Sequence, residues 1–114
     1  MGLVVPLTAA TFDQEVTGSR LPVLVDFWVQ GCGPCAAIAP VLEDLAAEHA
    51  GRLRVAAVPL DDAPGLAARF EIMALLTLIV FTSGRPVKRI TPAGGKSQLL
   101  AQLEEFLRPA GTAA

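Results

Sequence analysis

Apolar and polar positions along the chain alternate between strand-like and helix-like spacing. Leu3 to Thr8 is a short apolar stretch broken by Pro6. Proline cannot donate to a ladder, so a strand here belongs at a sheet edge. Thr11 to Val16 has the pattern of a short helix. Val23 to Val29 is a β-branched and aromatic run suited to a central strand, with Asp26 as its one charged residue. The loop Gln30 to Pro34 follows, then a helix predicted over Cys35 to Ala50. Ile38, Val41, Leu42 and Leu45 recur there at helical spacing, while Glu43, Glu48 and His49 are free to face water. Gly51 stands where a helix C-cap wants glycine. Pro40, inside the helix, removes a backbone donor and is expected to kink it.

The second half continues the alternation. Leu53 to Leu60 reads as another central strand, and Asp61 to Gly65 opens a short helix reaching about Phe70. Thr77 to Thr82 is a strand, Ser83-Gly84-Arg85 a hairpin turn, and Val87 to Thr91 its partner. Gly94-Gly95 precedes a last amphipathic helix, about Lys96 to Arg108, with Leu99, Leu100, Leu103, Phe106 and Leu107 near one stripe. Pro109 stops it. The expected order is β-α-β-α-β-α-β-β-α: an α/β chain with parallel early strands and an antiparallel hairpin at one edge. One domain over residues 1–109 is expected, with 110–114 a frayed tail.

Composition narrows the function. Apolar residues make up 53% of the 114 and charged residues 18%, enough to build a core. The formal net charge is -2, and the nine basic residues never form a run of three, so nothing points to nucleic acid. The longest apolar run, Ile72 to Phe81, is too short for a bilayer, which needs roughly 20 residues. No basic residue precedes the apolar N-terminal stretch, and Pro6 stands where a myristoylation signal wants Ser or Thr. The expectation is a cytoplasmic protein without a membrane partner.

Both cysteines of the chain lie in Cys32-Gly33-Pro34-Cys35. So close a pair does not staple a fold, and with His49 alone it cannot complete a four-ligand zinc site within one chain. A local dithiol remains, used for redox chemistry or for ligands shared between chains. The thiolate is the reactive form, and a cysteine just before a helix start is stabilised as an anion by unpaired N–H groups and the helix dipole. Pro34 suits the first turn, where its missing N–H is not needed. Cys32 would attack a disulfide, and Cys35, two residues on, would resolve the mixed disulfide. Asp26, in its apolar strand, would have a raised pKa and could accept the Cys35 proton. It would equally serve as an ion-paired or hydrogen-bonded acid at a strand end, and the sequence alone does not separate the two.

Val25-Asp26-Phe27-Trp28, then Cys32-Gly33-Pro34-Cys35, then Ile38-Ala39-Pro40-Val41-Leu42 resemble the active-site strand, loop and helix of the thioredoxin family. Asp61, Pro64-Gly65, Phe81 and Gly84 extend the similarity over nearly the whole chain. The resemblance implies a thioredoxin fold, a central mixed sheet of about five strands flanked by about four helices. It implies a protein disulfide reductase with no cofactor beyond the Cys32–Cys35 disulfide, acting as a monomer on protein disulfides and recharged by a thioredoxin reductase. It assigns Cys32 as nucleophile, Cys35 as resolving thiol and Asp26 as buried acid. Trp28, Gly31, Gly33 and Pro34 form the active-site loop, and Ala74, Leu75, Leu76, Thr77, Pro92 and Ala93 the substrate groove.

Four positions depart from that family. Gly31 replaces a tryptophan, which is expected to loosen the loop. Ala57 stands where a lysine pairs with the buried acid. Pro92 replaces a groove glycine. Leu76 replaces a cis-proline, and a cis bond before leucine costs about 3–4 kcal/mol, so a trans bond or a strained one is expected. Two alternatives follow: a homodimer in which Cys32 and Cys35 of two chains hold zinc or an iron–sulfur cluster, and a thioredoxin-like interaction module with little turnover. Three weaker signals carry no function here. Gly94-Gly95-Lys96-Ser97 lacks the first glycine of a phosphate loop, Asp61-Asp62 lacks a third ligand, and His49 reads as surface structure.

Overall fold

The computed structural model describes residues 3–73, 76–92 and 95–107. Five strands form one mixed sheet: β1 (Val5–Pro6), β2 (Val23–Trp28), β3 (Arg54–Pro59), β4 (Thr77–Thr82) and β5 (Arg85–Ile90). The spatial order is β1-β3-β2-β4-β5. β3 runs parallel to both β1 and β2, and β4 runs antiparallel to both β2 and β5. Pro6 places β1 at the edge as expected, and the strand is only two residues long, extended by a bond from the Leu7 N–H to the Ala57 carbonyl at 2.8 Å.

Among the described residues four helices cover the sheet: α1 (Phe12–Thr17), α2 (Gly33–Glu48), α3 (Pro64–Arg69) and α4 (Lys96–Leu107), with a 3-10 turn at Leu60–Asp62 ahead of α3. Side-chain alternation along β2 decides what lies on each face. Val23, Val25 and Phe27 join one core with Phe12 and Val16 of α1, Leu66 of α3, Phe70 and Phe81. Leu24 joins a second core with Ile38, Leu42 and Leu45 of α2, Leu78 and Val80 of β4, and Leu99 and Leu103 of α4. The same period sets Asp26 and Trp28 on the α2 side, the side that carries the cysteines.

The local departures from expectation have physical causes. α2 starts at Gly33 rather than Cys35, because Pro34 is compatible with the first turn and Cys32 caps the helix. The helix continues through Pro40 to Glu48. His49 is its half-buried C-cap rather than a freely exposed residue, and its N–H donates to the Leu45 carbonyl at 3.0 Å. The hairpin turn is two residues, Ser83 (φ 53°) and Gly84 (φ 81°), so β5 begins earlier than expected, at Arg85. Positive φ at both positions is the signature of a tight type I′ turn. β5 is an edge strand, which accommodates Pro86, and a bulge between Val80 and Phe81 absorbs the register shift beside it. The tail, 110–114, lies outside the described residues.

Candidate active site

The site is built where β2 ends and α2 begins. Cys32 is the N-cap of α2 in extended conformation, and its sulfur accepts the Cys35 N–H at 3.1 Å. That bond and the following turn of helix supply the donors and positive dipole that stabilise a thiolate. Cys35, one turn inside the helix, is 6% exposed and packs into the α2-side core, whereas Cys32 is half-buried at its edge. The two sulfurs are joined as a disulfide, with Cα atoms 5.2 Å apart.

Beneath α2, Asp26 is 5% exposed and sits opposite Ala57 of β3 and Leu78 of β4. Its Oδ1 is buried and has no hydrogen-bond partner among the described residues. Burial pushes the carboxyl up to about 7 from an ordinary 3.8. Asp26 and both cysteines line one cavity of about 310 Å³. Its other walls are Val4, Trp28, Val29, Ala36, Ala39, Leu42, Glu43 and Ala57. The dithiol and the acid therefore share one cavity. Of the two roles open to Asp26, the ion pair finds no cation in this lining.

On the other side of α2 lies an apolar groove lined by Pro34, Ala37, Ile38, Val41, Leu76, Pro92 and Gly95. A thioredoxin family model matches residues 3–105. The chain belongs to the thioredoxin family. It is 46% identical over 103 residues to the thioredoxin of Mycobacterium tuberculosis, covering 90% of this chain and 89% of that protein. With the thioredoxin of Mycolicibacterium smegmatis the identity is 48% over 105 residues, 90% of this chain and 94% of that protein. A bifunctional thioredoxin reductase/thioredoxin of Mycobacterium leprae is 44% identical over 106 residues, 93% of this chain but 23% of that larger protein. As a thioredoxin-family member carrying the paired cysteines, the chain is a thiol–disulfide oxidoreductase, and Cys32–Cys35 is its redox centre. The metal-sharing and inactive-module alternatives gain no support. The two cysteines are bonded to each other, and among the described residues no group of three or more His, Cys, Asp or Glu is placed to hold a metal ion.

Most residues expected at this thioredoxin-family site meet there. Trp28 ends β2 half-buried between the cavity and the α2-side core. Gly33 and Pro34 open α2. Leu76 and Pro92 line the groove, with Leu76 only 5% exposed and packed in the cluster that holds Cys35 and Ile38. Thr77 is buried at the start of β4, opposite Phe27. Ala74, Leu75 and Ala93 lie outside the described residues, and with them the geometry of the Leu75–Leu76 bond.

Three features escaped the sequence. Gly31 has φ +80°, a left-handed conformation in which a tryptophan would be strained, so the glycine serves the loop's conformation. Asp61 accepts the Gln30 N–H at 2.9 Å, anchoring the loop from the 3-10 turn. Glu43 is half-buried beside the cavity and accepts the Leu3 N–H at 2.7 Å, where the helical pattern had it facing water. Asp61 and Glu43 reach residues 31 and 40 positions away. Only a residue type able to accept hinted at either bond.

Proposed function

We propose that Cys32 is the attacking thiolate, Cys35 the resolving thiol and Asp26 the proton acceptor in reduction of protein disulfides. The observation that carries this reading is the placement of the half-buried Cys32 at the helix N-cap with Cys35 one turn deeper, on a cavity shared with Asp26. In the reduced protein the Cys32 thiolate attacks one sulfur of the substrate disulfide. A mixed disulfide forms and one substrate thiolate leaves. Cys35 gives its proton to Asp26 and attacks the Cys32 sulfur, expelling the second substrate thiolate. Two electrons pass to the substrate, and the Cys32–Cys35 disulfide remains. The apolar groove along Pro34, Ile38, Leu76 and Pro92 supports docking of an extended apolar segment of the substrate.

Recharging falls to a dithiol donor, and we assign that task to a thioredoxin reductase. The reductase joined to a thioredoxin in the Mycobacterium leprae relative supports the pairing. A reducing cytoplasm suits a chain whose only two cysteines form the working pair, and we place it there as a monomer with no further cofactor. Among the described residues no helix is long and apolar enough to cross a membrane. The test is insulin reduction with a thiol donor, alongside Cys35→Ser and Cys32→Ser. The parent should turn over, Cys35→Ser should accumulate a mixed disulfide through Cys32, and Cys32→Ser should accumulate none. A mixed disulfide trapped through Cys35 instead would invert the assignment.

A further inference from the structure

The chain leaves α3 through a turn that the thiol chemistry does not use. The Ile72 N–H donates to the Ala67 carbonyl at 2.9 Å and the Glu71 N–H to the Ala68 carbonyl at 3.3 Å. Those are the paired bonds of a Schellman turn, in which the residue after the C-cap takes a left-handed conformation. That residue is Glu71, with φ 53°, at a position where glycine alone escapes the steric penalty. A strained turn of this kind persists only where its surroundings hold it.

Arg89 supplies the hold. It stands opposite Ile79 in the β4–β5 ladder, on the α1 and α3 side of the sheet. Its Nη2 donates to the Phe70 carbonyl at 2.6 Å, and its Nη1 reaches the Glu71 carbonyl at 3.5 Å. Carbonyls at a helix C-terminus lack partners within the helix, and a cation there also answers the negative end of the dipole. The body of α3 is fixed separately: Arg69 pairs with Asp13 of α1 at 2.8 Å and lies over the Phe70 ring, 4.8 Å from its centroid. Arg89 therefore governs the exit of the chain rather than the seat of the helix. Leu76 lies five positions beyond Glu71, and Met73 on the way is 93% exposed, so its side chain does not tie the segment down. Leu76 in turn lines the apolar groove with Pro34, Ile38 and Pro92, on the α2 side of the sheet. Among the described residues that line this groove, Arg89 is not included.

We propose that Arg89 is a positioning residue for substrate docking. By clamping the Phe70 and Glu71 carbonyls it sets the path of the segment that leads into Leu76, and with it one wall of the groove. The proposal rests on the docking role given to the groove above. Arg89 lies on the sheet face opposite the cysteines, so its removal leaves the exchange chemistry at Cys32 and Cys35 intact.

The experiment compares the parent with Arg89→Met, which keeps an unbranched stem but removes the donors, and with Arg89→Met combined with Glu71→Gly. Glycine adopts the left-handed turn without strain and should make the clamp dispensable. Steady-state insulin reduction gives KM and kcat. Oxidation of the pre-reduced protein by hydroxyethyl disulfide, too small to lie along the groove, gives the rate of chemistry without docking. Arg89→Met should raise the insulin KM about fivefold or more, with kcat and the hydroxyethyl disulfide rate within about twofold of the parent. Hydrogen exchange at the Ile72 amide should quicken at least about tenfold, with the β2 amides unchanged. The double variant should restore both KM and Ile72 protection. An unchanged KM or unchanged Ile72 exchange in Arg89→Met would overturn the proposal. So would a raised KM that the added glycine does not restore, since Arg89 would then meet the substrate itself. A parent that reduces hydroxyethyl disulfide but not insulin would overturn the docking reading and this proposal with it, whereas parent turnover with a KM that Arg89→Met leaves unaltered overturns the clamp's role alone.

Discussion

At the residue scale the chemistry rests on an inequality between two cysteines three positions apart. Cys32 is a helix N-cap whose sulfur receives the Cys35 N–H, while Cys35 is packed among Ile38, Leu42 and Leu76. Helix-terminal donors favour the thiolate at Cys32, and apolar burial favours the neutral thiol at Cys35. In the reduced protein at neutral pH, iodoacetamide should therefore alkylate Cys32 at least about tenfold faster than Cys35. Peptide mapping after a brief pulse measures the ratio, and faster labelling of Cys35 would reverse the roles. This inequality was legible in the sequence, because it needs only a cysteine before a helix start and a second one turn in. The burial of Asp26 was legible too, from the apolar strand around it. The positive φ of Gly31 was not: a glycine in a loop is compatible with either sign of φ.

At the element scale the hairpin β4–β5 and the groove beside α2 show where pattern reading reaches its limit. Alternation located both strands, but not the start of β5, because turn length depends on two backbone angles that Ser83 and Gly84 supply. Gly84 is also pressed against α1. A Cβ there would lie 2.6 Å from Thr17 Oγ1 and 3.4 Å from the Thr17 Cα, in a conformation already costly for an L side chain. Gly84→Ala should cost about 2–3 kcal/mol, from left-handed backbone strain of roughly 1–2 kcal/mol plus the displacement of Thr17. Urea unfolding checks it, and a loss under about 0.5 kcal/mol would mean that the turn relaxes freely. The groove raises a different question. Leu76 lines it with Pro34, Ile38 and Pro92, at the position where the resembling family keeps a proline. Proline offers no N–H and presets an extended backbone, which favours pairing with an extended substrate strand. Leu76→Pro should thus raise insulin reduction several-fold while lowering stability through lost packing against the α2-side core. Unchanged or lower turnover would make Leu76 a tolerated lining residue with no bearing on docking.

At the scale of the whole molecule, one sheet separates two apolar cores, and the strand they share carries the acid. Four phenylalanines, Phe12, Phe27, Phe70 and Phe81, pack with ring centroids 5.2–6.3 Å apart on the α1 and α3 face. Aliphatic side chains from α2, α4 and β4 fill the other. The alternation of β2 already divided the residues between these faces. The neighbours of each strand were less legible, since the antiparallel pairing of β2 with β4 joins segments some fifty residues apart without a local signature. That pairing and the parallel one with β3 bury Asp26 from both sides, which ties its titration to the stability of the entire fold. In the unfolded chain the carboxyl ionises near its ordinary 3.8, while in the folded protein it holds its proton until about 7. The folded state thus binds more protons between those values, and stability falls as pH rises from about 4 to about 7. Below both values the group is neutral in either state and contributes nothing. Above both, the folded state bears the full penalty, and the rise from 3.8 to about 7 corresponds to roughly 4 kcal/mol. Against a typical domain stability of about 5–15 kcal/mol, that is a large share. Asp26→Asn removes the titration, and every other ionisable group remains in both proteins and largely cancels in the difference. In the oxidised form, where neither cysteine titrates, Asp26→Asn should match the parent near pH 4 and exceed it by several kcal/mol at pH 8. A melting difference on the order of 10 °C or more is expected at pH 8. Parallel stability curves for the two proteins across this range would show that Asp26 is solvated in the folded state and titrates as an ordinary carboxylate.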